Sequence, residues 1–157
     1  MPLGTLGGGK VTPAFSDHSR LTPIALTTTP QLVTGWTENI VPVDITEDTG
    51  VFTVNNAGTY SIQLERIYKN TDNNPSVGVN LTIDVRKNGV TSFTRTAPIT
   101  AANAPSEPSI DTFTTPFIKH VEVGDYFEVY VSAEDDGSPP AGTNLVNMRV
   151  VTHKVYT

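Results

Sequence analysis

Cysteine is absent from the chain, and with it go disulfide frameworks, thiolate metal sites and cysteine nucleophiles. A secreted eukaryotic domain of this size would often be stapled by disulfides, so the absence favours a bacterial or viral origin. Charge is sparse and acidic: charged residues are 17 % of the chain and the formal net charge is −6. The ten basic residues are scattered and form no stripe, so no nucleic-acid partner is expected. No apolar run approaches the length of a membrane span, so no membrane partner is expected either. The first ten residues, MPLGTLGGGK, lack the apolar centre of a signal peptide, and leader-directed export is not expected. Uninterrupted helix-forming stretches are missing too, because twelve Pro and twelve Gly punctuate nearly every long window.

What fills the chain instead is Thr, Asn, Ser and β-branched residues in alternating order, which favours strands and turns. At 157 residues there is room for one well-packed domain. Residues 1–20 read as a flexible N-terminal arm: Gly7-Gly8-Gly9 is followed by no regular period, yet Leu3, Leu6, Val11 and Phe15 are more apolar than a solvated tail requires. The segment is expected to be either a frayed terminus or an arm whose four apolar residues dock on a neighbouring molecule. The domain proper is expected over 21–157. Strand segments at Ile24–Thr29 and Gln31–Thr34 flank Pro30, and Asn39–Thr46 crosses Pro42, both features of edge strands. Tyr60, Ile62 and Leu64 share one face of a strand whose phase breaks at Arg66, where a bulge is expected. The cleanest alternation places Val77, Val79, Leu81, Ile83 and Val85 on one face. Asn88-Gly89 then marks a tight hairpin. Phe127, Val129, Val131 and Ala133 form another inner face, and residues 98–109 and 134–142 read as loops. In the last strand, Asn144 to Tyr156, apolar residues fall on both faces, so its outer side is expected to be covered by another subunit. The sum is an all-β sandwich of about ten antiparallel strands.

Catalytic signatures are lacking. His18, His120 and His153 are far apart, with no paired spacing of metal ligands. A cupin-type enzyme would need clustered histidines. No nucleophile elbow or phosphate-binding loop is present. Glu134-Asp135-Asp136 and Asp72-Asn73-Asn74 lack the spaced ligands of a calcium loop and read as solvated turns. Asn80-Leu81-Thr82 is a glycosylation sequon in mid-strand and is discounted. Trp36 is the single Trp, whereas a carbohydrate platform usually exposes several aromatic rings. Tyr126, Tyr130 and Tyr156 fall opposite their apolar neighbours and suit an interface. Neither an enzyme nor a metal or cofactor is expected.

Three motifs carry a resemblance. Gly50-Val51-Phe52-Thr53-Val54 followed by Ala57-Gly58-Thr59-Tyr60-Ser61-Ile62, then Val85-Arg86-Lys87-Asn88-Gly89, then Val121 to Val129 (VEVGDYFEV) resemble, in order and spacing, the complement-type globular head and tumour-necrosis-factor-like jelly rolls. The match spans roughly residues 36–134. The resemblance implies a ten-strand jelly roll that assembles as a homotrimer with its C-terminal strand near the three-fold axis. It places Arg149, Val151, His153 and Val155 at the trimer interface. A collagen-like or coiled-coil stalk is not expected ahead of the domain, and without cysteines or a recognisable signal peptide the chain is more similar to phage virion proteins of this fold. The leading expectation is a non-enzymatic, trimeric capsid decoration (cement) protein of a bacteriophage virion, with the major capsid protein or another virion protein as partner. The alternatives are the receptor-binding tip of a tail fibre or spike, whose loops would contact sugars or proteins, and a bacterial extracellular ligand-binding module.

Overall fold

The computed structural model describes residues 15–40, 44–70, 79–99, 112–135 and 143–155. These hold twelve strands: β1 (Phe15–Arg20), β2 (Ile24–Ala25), β3 (Gln31–Leu32), β4 (Thr37–Ile40), β5 (Ile45–Asp48), β6 (Val51–Val54), β7 (Gly58–Asn70), β8 (Val79–Lys87), β9 (Val90–Ile99), β10 (Thr112–Val121), β11 (Tyr126–Asp135) and β12 (Thr143–Val155). The first sheet runs β10-β7-β12-β1-β4, with β2 added on β12; the second runs β5-β6-β11-β8-β9, with β3 added on β11. Every pairing is antiparallel. The strands expected over 24–29 and 31–34 shrink to the two-residue β2 and β3, and β1 is the unexpected addition.

Side-chain alternation accounts for the sandwich. On β8, Leu81, Ile83 and Val85 are buried, while Asn80, Thr82 and Asp84 between them are not. Phe127, Val129, Val131 and Ala133 of β11 meet them in register, and Tyr60, Ile62 and Leu64 of β7 face them from the first sheet. Each such side chain contributes about 1.5–3 kcal/mol by leaving water. Trp36 belongs to this core, its ring edge-on to Phe52 at 5.4 Å and its indole N–H donating to the Val33 carbonyl at 2.9 Å.

The turns follow their residues. Asn88 and Gly89 both adopt positive φ, 52° and 75°, as a two-residue type I′ hairpin requires. The Asn88 amide donates to Asp125 Oδ1 at 2.7 Å, and its Oδ1 accepts from the Tyr126 N–H at 2.9 Å. The β8–β9 hairpin is thereby tied to the start of β11. Gly50 turns between β5 and β6 at φ 92°, where an added Cβ would stand 2.6 Å from the Val33 carbonyl oxygen.

Three expectations change. Residues 15–20 are not part of an arm; they form β1, between β12 and β4. The strand escaped notice because its buried residues are Ser16, Asp17 and His18, which give no apolar period. The single strand expected over Asn39–Thr46 is two, because β4 belongs to the first sheet and β5 to the second. The irregularity expected at Arg66 lies on its partner: the register slips between Leu145 and Asn147, so Val146 is the extra residue on β12. Leu3, Leu6, Val11, Val77, Tyr156, the 72–74 turn and the 100–109 part of the first loop lie outside the described residues.

Candidate interaction surface

The centre of the first sheet is built from β12, flanked by β7 and β1. Met148, Val150 and Thr152 are buried on the side facing the second sheet. By alternation Arg149, Val151, His153 and Val155 point outward. Their cross-strand neighbours share that side: Asp17 and Gln63 beside Val151, Ser61 beside His153, and Thr59 beside Val155.

Asp17 and Arg149 on this face pair within the chain. Arg149 Nε donates to Asp17 Oδ1 at 2.9 Å and its Nη2 to Oδ2 at 2.7 Å, a bidentate pair. Asn39, the extra residue of a bulge where β4 meets β1, donates to the same Asp17 oxygen at 3.2 Å. The Arg149 hydrogen bonds hold the Asp17 carboxyl below its usual range, against the opposing effect of burial. Val151 is only 5 % exposed within the single chain, so part of the cover expected from another subunit comes from its own. Val155 and Ile40, which sits opposite Asp17, remain 38 % and 44 % exposed, and His153 is exposed. Of the four residues assigned to an interface, two are therefore engaged or covered inside the protomer and two remain exposed. Phe15 opens β1 opposite His153.

Behind this face lies a histidine that belongs to no sequence motif. His18 is completely buried, edge-on to Phe52 at 5.1 Å, and neither ring nitrogen has a hydrogen-bond partner among the described residues. Burial lowers its pKa, although Glu47 of β5, Glu38 of β4 and Asp17 of β1 pull the other way. His120, by contrast, is exposed beside Glu122 and Thr59. Among the described residues no group of three or more His, Cys, Asp or Glu could hold a metal ion, and no helix is long and apolar enough to cross a membrane. Tyr130 is half-buried on the outer side of the second sheet, capped by the Arg86 guanidinium 3.9 Å from its ring centroid.

Comparison with known proteins bears on the fold. No protein-family model matches the chain, and no curated protein matches its sequence. Among solved structures, the crystal structure of murine APRIL at pH 5.0 aligns with a TM-score of 0.53, covering 92 % of this chain and 100 % of that one at 11 % sequence identity. The chain has a tumour-necrosis-factor-like jelly-roll fold. At that identity the likeness extends to the fold alone.

Proposed function

We propose that three copies associate through the outer face of the β12 sheet and that the trimer is a non-enzymatic structural protein of a phage virion, clamping neighbouring capsid subunits. One observation carries the assembly step. The outward residues around Val151 and Val155 are mostly uncharged (Ile40, Ser61, Gln63), Asp17 and Arg149 neutralise each other, and further ionisable residues at outward positions of β7 and β12 include His153 and Glu65, the latter opposite Arg149. Burying such a face incurs little desolvation penalty from unpaired charge, which is what the core of a protein interface requires. The jelly-roll fold supports the same arrangement.

The virion role is supported by the cysteine-free composition and by the placement of β1. Because β1 lies beside β12, three N-terminal segments carrying Leu3, Leu6 and Val11 would leave the trimer close to one axis. Three linked arms then engage a capsid lattice with a gain in effective concentration. The test has two parts. Light scattering on the full chain is expected to give three times the protomer mass, and Ser61→Arg with Val155→Asp is expected to give a folded monomer. Full-length protein is expected to bind undecorated capsids and to lose that binding on deletion of residues 1–14, which leaves β1 intact. A monodisperse monomer overturns the assembly step. Binding to host cells but not to capsids overturns the cement role in favour of a receptor-binding tip.

A further inference from the structure

We propose that a cleft at the edge of the sandwich binds a small oxyanion: a carboxylate, sulfate or phosphate group on a ligand no larger than a monosaccharide. The cleft is about 260 Å³ and is lined by Lys87, Val90, Thr91, Ser92 and Lys119. It opens where the edge strand of each sheet comes to the same side of the molecule, β9 from the second and β10 from the first.

Register explains why cations gather here in an acidic protein. Lys87 pairs with Phe127 and follows Leu81, Ile83 and Val85 in phase, so it occupies an inward-facing position of the second sheet. Lys119 pairs with the buried Tyr60 and so occupies an inward-facing position of the first. Two positions that alternation assigns to the core side carry ammonium groups instead, and they face the same opening. Lys87 is fixed by Asp125 at 2.6 Å, whereas Lys119 is exposed and has no ion-pair partner among the described residues.

The edge strand is also reshaped at this point. Val85 pairs with Phe93 and Arg86 with Thr91, so Ser92 is the extra residue of a bulge. Bulges re-aim side chains and recur beside binding sites. Here the Thr91 hydroxyl is committed to Asp84 at 3.1 Å, and the extra residue Ser92 joins Thr91 in the cleft lining. Val90, 70 % exposed, adds an apolar surface beside the cations. One free ammonium, one anchored ammonium and a re-aimed hydroxyl make a donor set for an anion; Val90 suits the C–H face of a sugar ring.

Amide NMR titration of the full chain tests this with four probes: inorganic phosphate, sulfate, glucuronate and, as the neutral control, glucose. Phosphate, sulfate or glucuronate is expected to shift the Ser92 and Lys119 signals saturably, with a dissociation constant on the order of 1 mM, while glucose does not. Equal affinity for phosphate and glucuronate identifies a bare anion as the ligand; a roughly tenfold preference for glucuronate identifies an acidic sugar. Lys119→Gln, at an exposed position that leaves the fold intact, is expected to weaken binding at least about tenfold. No saturable shift with any anion, or undiminished binding by a folded Lys119→Gln protein, overturns the proposal.

Discussion

Replacing His18 with Leu tests how the structure tolerates a polar group sealed in its core. A neutral imidazole carries one N–H donor and one acceptor nitrogen. In the fully buried His18 both lack partners among the described residues. Leaving such groups unmade costs about 1–3 kcal/mol in protein mutational data. Leu is close to His in volume, so the substitution removes that cost without opening a large cavity. Stability at pH 7.5 is expected to rise by about 1–3 kcal/mol. The pH dependence gives a second, sharper signal. Burial depresses the folded-state pKa below the ordinary value of 6.5, so on acidification the unfolded chain takes up the proton first. The wild-type stability is whole above pH 6.5 and falls below it, by at most about 1.4 kcal/mol per pH unit for one proton. His18→Leu has no such proton, so the gap between the two proteins widens as the pH drops from 6.5 to 5.5. The assay is urea unfolding at pH 7.5, 6.5 and 5.5 and one fixed protein concentration, followed by the fluorescence of Trp36, the only Trp and part of the same core. Taking the difference between the two proteins cancels groups that titrate in both. A variant less stable at pH 7.5 with an unchanged m-value, or a gap that stays constant with pH, would refute the reasoning.

Gly50→Ala is expected to cost about 2–4 kcal/mol in urea unfolding, combining strain at positive φ with the approach of Cβ to the Val33 carbonyl. Arg149→Met leaves the buried Asp17 carboxylate without its bidentate partner; a loss of about 2–3 kcal/mol is expected at pH 7, the low end for a buried pair because Arg149 is itself half-exposed. That loss should shrink as the pH falls through the usual carboxylate range, since Asp17 stabilises the fold only while it is ionised above its depressed pKa. Asn88→Ala is expected to lower stability by about 1–2 kcal/mol by removing both Asn88 side-chain bonds to Asp125 and Tyr126 as well as a residue suited to positive φ. A smaller effect measured by thermal unfolding would mean that the hairpin does not depend on those bonds.

The strands most legible in the sequence are those whose inner residues are all apolar. β8 and β11 declare themselves by period two, and the Asn-Gly turn fixes the register between β8 and β9. β1 does not, because Ser16 and His18 occupy its inward positions and Ser16 satisfies itself against Thr152, 136 residues away, at 2.5 Å. The Asp17–Arg149 pair is equally silent: its members are 132 residues apart, and no local spacing links them. The passage from β4 to β5 was read as one strand because residues on either side of Pro42 are equally β-prone, and a change of sheet leaves no periodic trace. Lys87 did carry a usable signal. A lysine in phase with Leu81, Ile83 and Val85 marks the point where the inner face reaches solvent.

The position of β12 has a consequence for how the protein is made. Three strands that precede it, β1, β2 and β7, pair with residues 143–155, which join the β10–β7 and β1–β4 pairs into one sheet. The pairs β1–β4 and β7–β10 can form without it, but the first sheet closes only when residues 143–155 insert between them. Such distant pairing slows folding and leaves unpaired edges exposed in the interval.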